Sequence, residues 1–263
     1  MKIDIDVLGA GICAPGLPDW EALLDILAGK GLNEDRKPPR SALLSPRERR
    51  RAPAAVKLSF AAAEQACAMA ELAPADPVAV FSSGMGDLQI TDYMCRTLAE
   101  QPDLLSPTRF HNSVHNAASG YWSIGSGATG DVTAVSGWKD SAAAGLLEAL
   151  SRIQYEPTTI LLVIYDDVAC GPMRDLWPAE YPFGAALVLA RPGQRSAMAR
   201  LEARIDGGED HHPEMPEVLE ARIMDNPAAR ILPLLGQISG RLPGPVTIGS
   251  EQGPGLQFRE REK

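Results

Sequence analysis

Residues 106–150, SPTRFHNSVHNAASGYWSIGSGATGDVTAVSGWKDSAAAGLLEAL, decide the fold of this chain. Their pattern predicts a loop, a helix of small residues, a glycine-rich turn, a short strand, a sharp bend and an amphipathic helix. A bend of this kind before a helix N-terminus is where an enzyme places an activated nucleophile. Here the bend carries Trp138, Lys139 and Asp140. It has neither a cysteine nor a serine.

Strand and helix patterns alternate on both sides of this segment. Near the N-terminus, Ile3, Ile5 and Val7 alternate with aspartates, which predicts a strand that ends in a loop at Gly9 and Gly11. Helices are predicted at 19–29, 56–70 and 91–100, strands at 77–81, 159–163, 185–190 and 201–205, and an exposed loop at 31–51. The alternation predicts an α/β fold with a largely parallel sheet and helices on both faces.

The character of the chain changes near residue 196. An acidic loop follows there, Asn226 and Pro227 form a helix start, and a tail rich in proline and glycine holds one candidate edge strand. We therefore expect a main domain at 1–195 and a short C-terminal extension at 196–263 that packs on the same domain.

Composition excludes several classes of function. The 263 residues carry a net charge of −9, which argues against nucleic acid and anionic membranes as partners and disfavours direct docking of an acidic carrier protein. The four cysteines show no metal-type spacing, which predicts reduced thiols, and no apolar run approaches the ~20 residues of a membrane span. The acidic N-terminus is unlike a signal peptide, so we expect a cytoplasmic protein with no membrane insertion.

The central segment resembles the N-terminal half of the β-ketoacyl synthases, the condensing enzymes of the thiolase-like superfamily. In that family a Ser-Pro loop leads through an Asn to a small-residue helix, a glycine turn and a strand that ends at the nucleophilic cysteine. The matching positions here are Ser106, Pro107, Asn116, Gly120, Gly127 and Gly130. In the same register the family's cysteine falls on Lys139. The resemblance therefore extends to the framework and not to the nucleophile.

This resemblance implies a thiolase-like half, with one mostly parallel five-stranded sheet and helices on both faces. The second half of the duplicated family fold carries two catalytic histidines and a lysine, and residues 196–263 are too few to form it. The one histidine pair there, His211 and His212, lies in the acidic loop. No cofactor is implied.

The function implied by the resemblance is that of a non-catalytic subunit similar to a chain-length factor. Such a subunit pairs with an active β-ketoacyl synthase and shapes its acyl tunnel in polyketide-type or fatty-acid-type biosynthesis, including that of aryl polyenes. The synthase is then the direct partner, and the acyl carrier protein is engaged only indirectly. The residues implied at the interface or tunnel are Phe110, Asn112, Val114, His115, Asn116, Tyr121 and Trp122. Of these, Val114, Tyr121 and Trp122 are expected at or near the partner surface.

Other interpretations of the same residues stay open. Lys139 is either a remnant that reaches solvent or a carboxylate, or a buried nucleophile with a lowered pKa. His111 and His115 stand four apart, on one face if helical, but lack the glutamate of a zinc protease. The acidic group Asp206, Glu209, Asp210, His211, His212 and Glu214 matches no ligand loop, which favours a solvated turn without metal.

Two further classes of function compete with the subunit. One is a free-standing acyltransferase or thioesterase with an atypical nucleophile, for which Lys139, Ser141 or a cysteine is a candidate. The other is a homodimer that holds an acyl chain without a synthase. The sequence SSGMGD at 82–87 lacks the lysine of a phosphate-binding loop and is interpreted as a tight turn after a strand.

Overall fold

A single mixed sheet of eight strands organises the chain. A computed structural model describes residues 2–33, 35–38, 40–156, 158–177, 179–205, 211–249 and 255–261. The strand order is β3-β2-β4-β5-β1-β6-β8-β7. The strands are β1 Lys2–Cys13, β2 Val78–Ser82, β3 Val132–Val135, β4 Ile160–Asp166, β5 Phe183–Ala190, β6 Ala199–Ile205, β7 Val246–Ile248 and β8 Leu256–Glu260.

Helices pack on both faces of this sheet, as predicted. They are α1 Trp20–Leu27, α2 Pro46–Arg51, α3 Ala54–Met69, α4 Leu88–Glu100, α5 Pro107–His111, α6 Ala117–Ser126, α7 Ser141–Tyr155, α8 Glu217–Asp225 and α9 Leu232–Ile238. Short 3-10 turns lie at Pro102–Leu104, Trp138–Asp140, Gly171–Asp175 and Pro227–Ile231. Within the described ranges, no helix has the length and apolarity to cross a membrane.

The expected five-stranded layer is present as β3-β2-β4-β5-β1, and it is mostly parallel, as predicted. Strands β3, β2 and β4 pair in parallel, and β1 runs in the same direction as these three. The next strand, β5, is antiparallel both to β4 and to β1. A strand buried on both faces has the same continuous apolar sequence in either direction, so the pattern did not reveal this reversal.

The two faces of the sheet bury separate cores. On one face, alternate residues of β1 pack with α1, α7 and the C-terminal helices. On the other, α3 and α6 pack on the opposite side chains of β2, β4 and β5. Because α7 begins at the bend of interest, its burial in the first core fixes the bend relative to the sheet.

Strand β1 does not end at its glycines, which corrects the predicted loop. It continues through a bulge between Val7 and Gly9 to Cys13. At Gly9 a Cβ atom would lie 2.8 Å from the amide nitrogen of Ala70 and would overlap the carbonyl of Ala66; at Gly11 it would meet α3 again. These glycines therefore allow α3 to cross close over the strand.

The segment after residue 196 extends the same sheet. β6 pairs with β1, and β8 and β7 follow, all antiparallel. The tail thus supplies two strands where one was predicted. Asn226 accepts a hydrogen bond from the amide of Ala228 and so begins the Pro227–Ile231 turn, as its sequence indicated. The division at residue 195 stays a prediction.

Part of the expected loop at 31–51 is the short helix α2. Ser45 accepts a hydrogen bond from the amide of Glu48, whose side chain accepts one from the amide of Ser45. This capping box, with Pro46 at the first helical position, stabilises a helix start.

Candidate functional site

The bend between β3 and α7 is a 3-10 turn at Trp138–Asp140, held by the side chain of Ser141. The Ser141 hydroxyl donates to the carbonyl of Trp138 at 2.7 Å and accepts from the amide of Gly137 at 2.9 Å. Trp138 has φ +56°, in the left-handed region that non-glycine residues rarely adopt. Such a conformation costs on the order of 1–3 kcal/mol and persists because its surroundings hold it.

Two indoles meet beside this bend. The rings of Trp138 and Trp177 pack edge to face, with centroids 4.9 Å apart and an interplanar angle of 67°. Trp177 is completely buried, whereas Trp138 is 44% exposed. A Cβ atom at Gly84 would lie 2.6 Å from Cζ2 of Trp177. The tryptophan pair therefore occupies the space above the turn that follows β2.

A buried carboxyl group lies at the same end of the sheet. One oxygen of Asp166, at the end of β4, accepts from the Ser83 hydroxyl at 2.9 Å and from the amides of Gly84 and Met85 at 2.8 and 3.4 Å. Its other oxygen is buried without a hydrogen-bond partner. Burial raises the pKa of Asp166 to about 7, although these hydrogen bonds oppose the shift. The carboxyl group holds the turn after β2 in place. A tight turn at the end of this strand was predicted from the sequence.

The charged residues of the bend show no arrangement for covalent catalysis. Asp140 forms an ion pair with Arg230 at 3.5 Å. Lys139 is half-buried and makes no ion pair with another described residue. The Ser141 hydroxyl is occupied by the two main-chain hydrogen bonds described above. No described side chain at this bend is paired with a base in the manner of an activated nucleophile.

None of the four cysteines lies on the bend itself, although Cys170 packs against the cluster that contains Trp177. Cys13 and Cys67 are buried, and burial raises the pKa of each to about 12, which disfavours the reactive thiolate. Cys170 donates to the carbonyl of Leu88, and burial raises its pKa as well. Cys95 is exposed on α4. The thiols therefore supply no nucleophile to the bend.

An open groove lies along α5 and α6. Its volume is about 540 Å³, and its lining includes Val114, Ala117, Tyr121 and Ile124. Val114 is 52% exposed and Ile124 is 74% exposed. Phe110, on α5, is 60% exposed. Exposed apolar side chains grouped in this way are typical of a binding surface.

The predicted interface residues divide between this groove and the interior. Val114, Asn116 and Tyr121 line the groove. Asn112 is buried, accepts from the Tyr121 hydroxyl at 3.1 Å and donates to the carbonyl of Arg51 at 3.5 Å. Asn112 therefore supports the groove from beneath. Trp122 is completely buried, which corrects its expected place at the surface.

Trp122 belongs to the core beneath the groove. Its ring packs edge to face on Phe60, with centroids 5.1 Å apart, and lies 6.1 Å from the ring of Phe81. A tryptophan next to the partly buried Tyr121 gives no local signal of which residue faces inward. Which of the two side chains faces inward depends on how α6 is rotated about its own axis.

The two histidines of this segment do not share a helix face. His111 ends α5, and His115 lies beyond it. His115 Nε2 donates to the carbonyl of Ser83 at 2.9 Å, which connects the groove segment to the turn after β2. His115 is thus a structural link between the two parts of the site.

The acidic loop provides no metal centre in the part that the structure describes. Asp206, Glu209 and Asp210 lie outside the described residues. His211 is tied by its main chain to Thr247. Across the described ranges, no three histidine, cysteine or acidic side chains are grouped to hold a metal ion.

Sequence reasoning missed Trp177 and Asp166. A signal for Asp166 was present, because the two parallel strands β2 and β4 end at the same edge and are followed by the polar pairs Ser82-Ser83 and Asp166-Asp167. Trp177 lies in an irregular segment, and nothing in its sequence surroundings indicates contact with Trp138.

Comparisons with solved structures identify the fold. A chain of the complex described as "Ketosynthase (ApeO) in Complex with its Chain Length Factor (ApeC) from Xenorhabdus doucetiae" is similar over 98% of this chain and 99% of that chain, with 21% identity and a TM-score of 0.72. "The ishigamide ketosynthase/chain length factor" matches with 14% identity, the same coverages and a TM-score of 0.71. These likenesses show a shared fold, and the matched chains are of nearly the same length as this one.

A third solved structure extends the comparison to a longer protein. A β-ketoacyl synthase from Burkholderia phymatum STM815 is 11% identical, with 91% of this chain and 71% of that chain covered and a TM-score of 0.61. No curated protein matches this chain by sequence. The family model described as "Beta-ketoacyl synthase, N-terminal domain" matches residues 24–228. The chain therefore belongs to the β-ketoacyl synthase N-terminal domain family, of whose duplicated fold it forms one half.

Proposed function

We propose that this chain is a non-catalytic, chain-length-factor-like subunit that pairs with an active β-ketoacyl synthase and shapes its acyl tunnel. The observation that carries the proposal is the bend before α7. The strand, the bend and the helix are all present and Trp138 has a strained backbone, but no thiol stands on the bend. A family member with this framework and without a nucleophile has a role that depends on shape.

The tryptophan pair strengthens this argument. Trp177 is buried against Gly84, and Trp138 packs on its edge. A condensing site needs open space beside its nucleophile for an acyl thioester, whereas here the space is filled by side chains. The pair therefore stabilises the bend as a structural element.

The proposed partner surface combines a sheet edge with the groove. β3 pairs with β2 on one side and forms the outer edge of the described sheet. An edge strand has main-chain groups free to pair with another chain. The groove with its exposed Val114 and Ile124 supplies apolar area that a partner would remove from water. A synthase that pairs with β3 and covers the groove would satisfy both surfaces.

Within such a pair, the groove would form one wall of the acyl tunnel. Side chains such as Val114 and Tyr121 would set how far a growing chain can extend, since interior packing leaves little space for extra methylene groups. The synthase would supply the nucleophile and the acid–base groups, and the carrier protein would deliver its acyl group to the synthase.

The similarity of this chain to subunits of ketosynthase complexes supports a proposal for the pathway. One similar complex is described as "AntDE:AntF (apo): type II PKS acyl-carrier protein in complex with its ketosynthase bound to the hexaketide". We extend the proposal to biosynthesis of the type II polyketide or aryl-polyene kind. All four cysteines are free, which favours a reducing compartment such as the cytoplasm.

The pairing is tested by co-purification with a tagged synthase encoded beside this chain. Wild-type protein should co-purify, and Ile124→Asp should weaken pairing at least about tenfold, because a carboxylate would be buried without a partner. Leu104→Asp is the matched control, since Leu104 is similarly exposed but does not line the groove. Equal retention of both variants would contradict the proposed surface.

A further inference from the structure

A second cavity lies on the opposite side of α2 from the groove. Its volume is about 350 Å³, within the range of small-molecule sites. The apolar part of its lining comes from separate segments of the chain and includes Cys13, Leu44, Leu58, Ala61 and Pro182. Leu58 and Ala61 lie on the same face of α3 as Ala54 and Lys57, because residues three or four positions apart on a helix share a face. This face of α3 forms one wall of the cavity.

The charges around this cavity are unequal. Its described lining includes three cationic side chains, Arg40, Arg49 and Lys57, and one acidic side chain, Asp167. Arg40 and Lys57 are exposed and make no ion pair with any described residue. The rim of this apolar cavity therefore carries two cations that no described carboxylate neutralises.

The hydrogen bonds of Arg49 and Asp167 show which charged groups of the lining remain available to a ligand. Arg49 donates from Nη2 to the carbonyls of Ser41 and Leu44, both at 2.8 Å, and its Nε is buried without a hydrogen-bond partner. Asp167 is buried and accepts from the amide of Val168 at 2.8 Å and from Gln89 at 3.3 Å. Both oxygens of Asp167 are thus engaged inside the protein, and neither pairs with Lys57 or Arg40.

We propose that this cavity binds a small amphiphile with one carboxylate, of the medium-chain alkanoate class, whose chain enters the apolar lining and whose carboxylate pairs with Lys57 and Arg40. The apolar walls favour a ligand with an alkyl chain over a purely polar anion, and the two cations, which pair with no described carboxylate, favour an acid over a neutral lipid. The site is separate from the groove, so the inference does not depend on the proposed pairing with a synthase.

Calorimetric titration of the full chain with octanoate and with 1-octanol tests the site. Octanoate should bind more tightly than octanol. Lys57→Glu and Arg40→Glu should each weaken octanoate binding at least about tenfold, because an ion pair with hydrogen bonds is lost, and should leave octanol binding unchanged. Ala54→Trp, at the exposed rim, should obstruct both ligands. Arg47→Glu is the matched control, since Arg47 is exposed on α2 and does not line the cavity.

A groove variant separates the two surfaces. Ile124→Asp should leave octanoate binding unchanged, because Ile124 lines only the groove along α6. Loss of octanoate binding in that variant would overturn the proposal, since the ligand would then occupy the groove. Equal affinities for octanoate and octanol, no effect of either charge reversal, or no octanoate binding at millimolar concentration would also overturn it.

Discussion

Trp177 lies against Gly84 so closely that no other residue fits at position 84. A Cβ atom there would lie 2.6 Å from Cζ2 of Trp177 and 2.8 Å from the carbonyl oxygen of Trp138. The amide of Gly84 meanwhile donates to the buried carboxyl of Asp166 at 2.8 Å. One glycine thus joins the turn after β2, the bend before α7 and the end of β4.

This contact predicts that Gly84→Ala destabilises the protein. The added methyl group meets a buried ring and a main-chain carbonyl, and overpacking of this kind costs about 1–3 kcal/mol. Urea unfolding measures the change in the free energy of unfolding. Gly120→Ala is the control, because a Cβ at Gly120, inside α6, meets no atom within 4 Å. That variant should be neutral or slightly stabilising, and equal losses in both variants would contradict the packing described.

Replacement of Lys139 by alanine should leave the flux of the pathway nearly unchanged. Lys139 makes no ion pair with a described residue and lies on a bend whose space is filled by two indoles. The measurement is product formation by the co-expressed pair. A loss of a hundredfold or more, with folding and pairing intact, would show that Lys139 takes part in chemistry.

Substitutions of Val114 should change the length of the product. Val114→Phe should shorten it and Val114→Ala should lengthen it, because the side chain would stand at the wall of the tunnel. Mass spectrometry of the products from the reconstituted pair measures both effects. Leu104→Phe serves as the comparison outside the groove. A product of constant length in both Val114 variants would place the tunnel elsewhere.

The buried Asp166 predicts a pH dependence of stability. Its pKa is raised to about 7 in the folded protein, from 3.8. The folded state therefore binds more protons than the unfolded state between about pH 4 and 7. The stability that Asp166 contributes is fully present below its unfolded pKa and is lost as the pH rises through its folded pKa. Over this range its contribution to the free energy of unfolding falls by no more than about 1.4 kcal/mol per pH unit.

Asp166→Asn isolates this effect. The amide keeps an oxygen acceptor for Ser83 and Gly84 but carries no titrating proton. The free energy of unfolding of the wild type, minus that of the variant, should fall from pH 4 to pH 7 and then level off. Burial also raises the pKa of Asp87 and of Asp167. Both residues are present in the wild type and in the variant, so their contributions cancel when the two free energies of unfolding are subtracted. A constant difference would contradict a raised pKa at Asp166.

The sequence predicted most of the elements and the mostly parallel layer, but not the reversal of β5. The long helix α3 and the strand β4 follow from apolar spacing, and Asp19 caps α1 as expected by accepting from the amide of Ala22. The glycines of β1 were wrongly assigned to a loop. From the sequence alone, a glycine that lets a helix pass close to a strand cannot be distinguished from a glycine in a loop. The capping box of Ser45 and Glu48 that begins α2 can be recognised in the sequence, but it was not predicted.

The site was predicted only in part, for physical reasons. The resemblance to the β-ketoacyl synthases implied the missing nucleophile and a surface position for Val114, which is exposed. The contact between Trp138 and Trp177 joins residues 39 positions apart (177 − 138), and Trp177 lies in an irregular segment, where no periodicity constrains side-chain direction. The burial of Trp122 depends on the rotation of α6 against Phe60, which packing decides.

The most direct test of the central claim is reconstitution with the neighbouring synthase, measured by size-exclusion chromatography with mass detection and by condensation assay. The account predicts a 1:1 complex whose condensation activity is absent from either chain alone. A chain that stays apart from the synthase, while the synthase condenses equally well without it, would contradict the account.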